Sequence, residues 1–219
     1  MVPTRTAFQG ELEALQRQLL YMGGLVEGQI AEAVAALVHK DGTLAQQVID
    51  RDEAVDRLQL EIEDRCVSLI ARQQPLAKDL RMIFAAIKLA TDLERISDLA
   101  VNVAEIAQGL LKEPYIKPLI DIPRMAEIAQ RMTRQALDAY VGGSEEKAEG
   151  LFSMEKEMDS LWDQVFRELL LIMMQDPKTV SQATYLLLVA RHLERVGDHA
   201  TNIGELVIYE VSGNRIRLN

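Results

Sequence analysis

The sequence is poor in the residues that build sheets, disulfide scaffolds and membrane spans. Aromatic residues make up only 5% of it. Strands lean on aromatic and β-branched side chains, whereas the abundant Leu, Ala, Glu, Gln and Met favour helix. There is one cysteine, Cys66, so no internal disulfide can form, which fits a reducing cytoplasm. It stands inside an apolar stripe, the setting of a core residue rather than of a nucleophile. Positive charge is also short: 24 Lys and Arg against 34 Asp and Glu leave a net charge of −10. Such a surface repels a phosphate backbone and argues against nucleic acid as a partner. The longest purely apolar runs, Leu169 to Met174 among them, are far below the roughly 20 residues of a membrane-spanning helix. Met1 to Gly10 has no apolar core of a signal peptide. A cytoplasmic protein that does not span the membrane is expected.

Catalytic signatures are missing as well. There is no Gly-x-Ser-x-Gly, no phosphate-cradling Gly-x-x-x-x-Gly-Lys-Ser/Thr and no Gly-x-Gly-x-x-Gly. The three histidines, His39, His192 and His199, lie outside any nucleophilic context, and Ala36, Val189 and Val196 stand where a Glu-x-x-His di-iron ligand pair would need its Glu. Arg72, Lys78 and Arg81 are scattered and offer no convergent anion cradle. The sequence does not read as an enzyme.

What is present is helical periodicity. Phe8, Leu12, Leu15, Leu19, Met22, Val26, Ile30, Ala33 and Leu37 recur every three or four residues, predicting one helix from Thr4 to His39 through Gly23-Gly24. Asp41-Gly42-Thr43 supplies a turn and an N-cap. A second stripe runs from Leu44 to Leu69 and ends near Gln73. Pro75 then opens a third helix whose apolar face is read as Leu76, Leu80, Ile83, Ile87, Leu93, Ile96, Leu99 and Val103. Pro114 and Pro118 mark the boundary between halves, 1–113 and 114–219. The second half repeats the plan: a helix from about Leu119 to Val141, a turn at Gly142-Gly143-Ser144, a helix from Glu145 to Gln175, a cap at Asp176-Pro177 and a last helix to about Tyr209. No segment sustains period-two alternation. The expected fold is all-α, a tandem repeat of two antiparallel three-helix bundles with six long helices.

The duplication is explicit in the residues. Leu93-Glu94-Arg95-Ile96-Ser97-Asp98 returns one hundred positions later as Leu193-Glu194-Arg195-Val196-Gly197-Asp198, with Asn102 matched by Asn202 and Glu105 by Glu205. The middle helices match too: Asp52 to Asp56 corresponds to Glu155 to Asp159, an offset of 103. Each pair puts two acids four residues apart on one helix face. Chance alone gives roughly five such pairs in a chain this acidic, so a single one says little. Their recurrence at matched places in both halves suggests that Asp52, Asp56, Glu94 and Asp98, and again Glu155, Asp159, Glu194 and Asp198, converge. Two purposes fit. Arg95 and Arg195 could bridge the acids as a structural device. Otherwise the carboxylates form a patch for a hard, oxygen-seeking cation such as magnesium, calcium, manganese or iron. His192 and His199 are expected to be solvated, and His39 to act as a charge partner at its helix end.

The stretch Ala71-Arg72-Gln73-Gln74-Pro75-Leu76-Ala77-Lys78-Asp79-Leu80-Arg81, together with the two Leu-Glu-Arg-x-x-Asp copies, resembles the PhoU family across nearly the whole chain. The resemblance implies a cytoplasmic, often homodimeric negative regulator of phosphate uptake and of the phosphate-starvation response. It further implies an adaptor between the phosphate ABC transporter ATPase and a sensor histidine kinase. Family acid-x-x-x-Asp motifs, which in some members hold multinuclear iron or zinc clusters, map onto Asp52 with Asp56, Glu94 with Asp98, Glu155 with Asp159, and Glu194 with Asp198. Magnesium or manganese remain open alternatives. Ser97 stands where the family pattern has glycine. The readings in competition are a metal store or metalloenzyme built on the clusters, and a plain helical scaffold.

Overall fold

A computed structural model of the protein describes residues 5–73 and 75–218; Thr4, the expected start of the first helix, and Gln74 of the 71–81 stretch lie outside them. Seven α-helices follow in order: α1 Arg5–His39, α2 Gly42–Gln73, α3 Ala77–Gly109, α4 Asp121–Gly142, α5 Glu145–Glu149, α6 Leu151–Gln175 and α7 Val180–Ser212, with a 3-10 turn at Pro177–Thr179 before α7. Among the described residues there is no strand, and no helix is long and apolar enough to cross a membrane.

The turns follow from local chemistry. α1 closes on Lys40 at φ 55, with Asp41 N donating to Ala36 O. The Asp41 carboxylate then accepts from the Thr43 and Leu44 amides and starts α2. Gly143, left-handed at φ 55, ends α4, and the Ser144 hydroxyl accepts from Lys147 N to start the next helix. Asp176 caps the 3-10 turn through the Lys178 amide. The proline-rich connection between halves is pinned rather than slack. Buried Gln182 accepts from Ile116 N at 2.7 Å and donates to Pro114 O at 3.0 Å, while the Tyr115 hydroxyl donates to Leu37 O.

Two expectations need correction. The helix expected over Glu145–Gln175 is two, α5 and α6, interrupted at Gly150, where a Cβ would come within 2.6 Å of Gln135 Nε2 and 3.3 Å of Lys147 O. The first turns of α3 do not bury the residues assigned to them. Leu76 is 63% exposed and Leu80 45%, whereas Ile83, Ala85, Ala86, Leu89 and Ala90 form the buried stripe. The two bundles also pack against each other. α3 packs on α1 and α2 in its own half and on α7 of the other, and α1 packs on α4, so one continuous apolar core runs through both halves. Small residues make these seams possible. Alanines line α3 and α7, and Gly23 on α1 sits under Leu137 of α4, where a Cβ would lie 2.3 Å from Leu137 Cδ1. Cys66 is buried as expected, and burial pushes its thiol up to about 12, far from thiolate chemistry at neutral pH.

Candidate functional site

In each half the four expected acids come from two neighbouring helices. In the first half α2 supplies Asp52 and Asp56 and α3 supplies Glu94 and Asp98. In the second, α6 supplies Glu155 and Asp159 and α7 supplies Glu194 and Asp198. Their proximity registers electrostatically. Burial, then repulsion from Asp98, raises the Glu94 carboxyl above its ordinary range against the pull of Arg95, with Asp56 and Asp52 adding from the facing helix. Burial likewise raises Asp52; the Ser97 hydrogen bond opposes it and Asp56 and Asp98 reinforce it. In the second half burial, then Asp159, Asp198 and Glu205, carries Glu155 up to about 7. Asp159 and Glu194 are raised too, by burial first and Asp198 second, with Arg191 opposing both.

The acids differ sharply in exposure. Glu155 and Glu194 are only 7% and 8% exposed, while Asp56 and Asp159 stand in solvent. Each cluster is therefore a bowl with half-buried carboxylates in the first half, and buried ones in the second, at its floor and an exposed one at its rim.

The structural device is only partly there. Arg95 Nη1 lies 3.0 Å from Asp98 Oδ2 and its Nε 3.4 Å from Glu94 Oε2. In the second half Arg195 does not bridge; Arg191, one turn earlier, pairs with Glu194 instead. One guanidinium faces four carboxylates in each half, so neither quartet is neutralised. Moreover, Glu94 Oε2 and Glu194 Oε2, matched by the repeat, are both buried without a hydrogen-bond partner among the described residues. The 3.4 Å Arg95 contact is an ion pair that lacks hydrogen-bond alignment, so it leaves that oxygen unsatisfied. A buried acceptor left open costs on the order of 1–3 kcal/mol. The same atom orphaned in both halves fits a cation better than a solvated face. The oxygen-only donor set agrees with the hard-cation expectation. The shell is not closed, however: among the described residues no three Asp, Glu, His or Cys side chains already stand together around one ion position.

The histidines do not join these clusters, and neither is solvated as expected. His199 Nδ1 lies 2.9 Å from Asp92 Oδ1, a bond that ties α7 to α3 across the two halves. His192 is half-buried, its Nδ1 without a partner, and burial followed by Arg195 pushes its pKa down.

One difference between the halves has a packing cause. The Ser97 hydroxyl lies 2.7 Å from Asp52 Oδ1 and 2.8 Å from Gln29 Oε1. A single hydroxyl hydrogen serves one acceptor, so it goes to Asp52. Turning the Gln29 amide over lets its Nε2, otherwise unpartnered, donate to Ser97. The equivalents in the second half are Met132, Gly197 and Glu155, and a Cβ on Gly197 would meet Met132 and Met158 at 3.4–3.6 Å. Ser97 thus departs from glycine because Gln29 and Asp52 give its hydroxyl partners. Sequence reasoning missed three participants: Gln29, Arg191 and Glu205. The match of Glu105 with Glu205 was a signal for the last, whereas Arg191 answers Thr91 and carries no repeat signal.

A PhoU domain family model matches residues 19–107 and 122–207, one match in each half. The chain belongs to the PhoU family. The phosphate-specific transport system accessory protein PhoU homolog of Caulobacter vibrioides is 41% identical to it over 214 residues, 97% of this chain and 93% of that protein. The homolog of the same name from Clostridium acetobutylicum is 40% identical over 217 residues and 99% of both chains. The crystal structure of PhoU from Pseudomonas aeruginosa superposes with a TM-score of 0.91 at 40% identity, covering 94% of this chain and all of that one. The phosphate transport system regulatory protein PhoU from Streptococcus pneumoniae gives 0.89 at 27% identity, covering 95% and 99%. The PhoU fold is therefore shared from end to end.

Proposed function

We propose that this PhoU-family chain is a cytoplasmic accessory regulator of phosphate transport. It restrains phosphate uptake and the starvation response by bridging the transporter ATPase and a sensor histidine kinase, and acts as a homodimer without catalysis of its own. Supporting this are its likeness along its whole length to proteins named for that system and a fold of long helical faces suited to docking. The observation that carries the reading is the pair of unneutralised carboxylate quartets held at matched places in a duplicated fold. Asp52, Asp56, Glu94 and Asp98 would hold one metal ion or cluster, and Glu155, Asp159, Glu194 and Asp198 the other. Iron or zinc comes first, with magnesium or manganese as alternatives. The bound cation would supply positive charge and open positions for phosphate or for an acidic group of a partner. This chain's own part is to aim Glu94 Oε2 and Glu194 Oε2 at it from buried positions, while the exposed Asp56 and Asp159 swing in to close the shell.

Replacing Glu94, Asp98, Glu194 and Asp198 together by Ala tests this. The variant should keep its helical circular-dichroism signal, lose bound metal by elemental analysis and release a phosphate-starvation reporter in phosphate-rich medium. Normal repression by that variant would remove the clusters from the mechanism. The second reading, a metal store or metalloenzyme, draws on the same orphaned oxygens. It predicts phosphatase or ferroxidase turnover that the quadruple variant loses while a deletion strain still regulates normally.

A further inference from the structure

A second apolar stripe on α3 is left over once the core is built. Ala77, Leu80, Phe84 and Ile87 recur at helical spacing on a face that its own bundle covers only at Ile87, with Leu80 45% and Phe84 38% exposed. They line an open trough shared by α3 and α7, floored by Tyr209, whose ring meets Phe84 edge-on at 6.2 Å. Two adjoining hollows of about 480 and 470 Å³ meet at Phe84 and Tyr209. Their lining spans α3 from Ala77 to Asp92, a length of about 22 Å at the helical rise. Small-molecule sites are concave and enclose their ligand, whereas an open trough of this length matches about four turns of a helix.

The charge around it is opposite to that of the molecule. In a chain of net charge −10, Arg81, Lys88, Arg215 and Arg217 border the trough. Arg81 is anchored by its Nε bond to Glu210 O at 3.3 Å, and Arg215 sits over the Tyr209 ring at 5.2 Å. None of the ion pairs among the described residues uses Arg81, Lys88, Arg215 or Arg217. The two acids in the lining are engaged elsewhere: Asp92 with His199, and Glu205 accepting from Leu218 N at 2.7 Å. Apolar anchors flanked by unpaired cations select a helix with the reverse pattern.

We propose that the trough between α3 and α7 receives an acidic amphipathic helix of a partner protein, about four turns long, with its apolar face on Leu80, Phe84 and Tyr209 and its carboxylates on Lys88, Arg215 and Arg217. This deepens the adaptor reading by giving one docking surface and the chemistry of what docks there. It is tested on the full chain by fluorescence anisotropy with two labelled peptides of about fifteen residues, each with Leu on one face and flanked by Glu in one and Lys in the other. The Glu peptide should bind saturably, more weakly as salt is raised, and at least about ten-fold tighter than the Lys peptide. Leu80→Asp, an exposed change that circular dichroism can confirm as folded, should weaken it by about ten-fold or more. Arg215→Glu with Arg217→Glu should invert the peptide preference. Equal binding of both peptides, indifference to Leu80→Asp, or displacement by ATP or inorganic phosphate would overturn the proposal. So would a dimer that Leu80→Asp dissociates, which would give the trough to a second copy. The adaptor reading fails separately, if deleting the protein leaves the phosphate-responsive reporter unchanged whatever the peptides do.

Discussion

At the residue scale the first cluster depends on one hydroxyl, which donates to Asp52 and accepts from the Gln29 amide. Ser97 satisfies Asp52 and Gln29 at once, and its loss strands two groups at the floor of the bowl. We expect Ser97→Ala to cost about 1–3 kcal/mol in urea unfolding, and Gln29→Met beside it to recover part of that by copying the apolar environment of Gly197. An equal cost with and without Gln29→Met would disprove the coupling. Glu155 makes a pH prediction with a definite sign. Its folded pKa of about 7 lies above the ordinary carboxylate value of 4.5, so the folded state holds the proton more tightly than the unfolded chain. Its contribution to stability is therefore complete below pH 4.5 and is lost as pH rises through 7. Glu155→Gln should flatten the fall in melting temperature between pH 5 and 8; an unchanged slope would mean that Glu155 titrates normally. A cation that favours the ionised cluster should raise melting temperature more at pH 8 than at pH 5.

At the element scale the seam between α1 and α4 turns on one missing methyl. Gly23 is a poor helix residue by about 1 kcal/mol, yet Leu137 occupies the space its Cβ would fill. Gly23→Ala alone should be destabilising, because turning Leu137 out of its rotamer costs about 1–3 kcal/mol and outweighs the propensity gained. In a Leu137→Ala background the same substitution should become stabilising by about 1 kcal/mol. Thermal denaturation of the four proteins of that cycle reads the reversal, and a stabilising Gly23→Ala in both backgrounds would show that the seam tolerates a methyl.

At the scale of the whole molecule the continuous core predicts cooperativity. Trp162, the single tryptophan, reports from α6 in the second half, while far-ultraviolet circular dichroism reports from both. The two signals should give one coincident urea transition. Separate midpoints would mean that the bundles unfold independently. A fragment ending at residue 113 should be much less stable than the intact chain, since it uncovers the alanine-lined face of α3 that α7 covers.

By itself the sequence determined the helices apart from the break at Gly150, the caps at Asp41, Ser144 and Asp176, the duplication and the pairing of acids on one face, because each is written in local periodicity or turn chemistry. Spacing of four puts Glu94 and Asp98 on one face in any helix, and Asp41 caps whatever helix follows it. Tertiary structure decided what depends on how helices rotate and approach. It buried Glu155 and left Asp159 in water, put Arg191 rather than Arg195 against Glu194, gave Ser97 its partners, and turned Leu80 and Phe84 outward. Those outcomes depend on how each helix is rotated and on what packs against it, which spacing along one helix does not state. The alanine and glycine seams decided one thing more, bringing the two bundles close enough to share one interior.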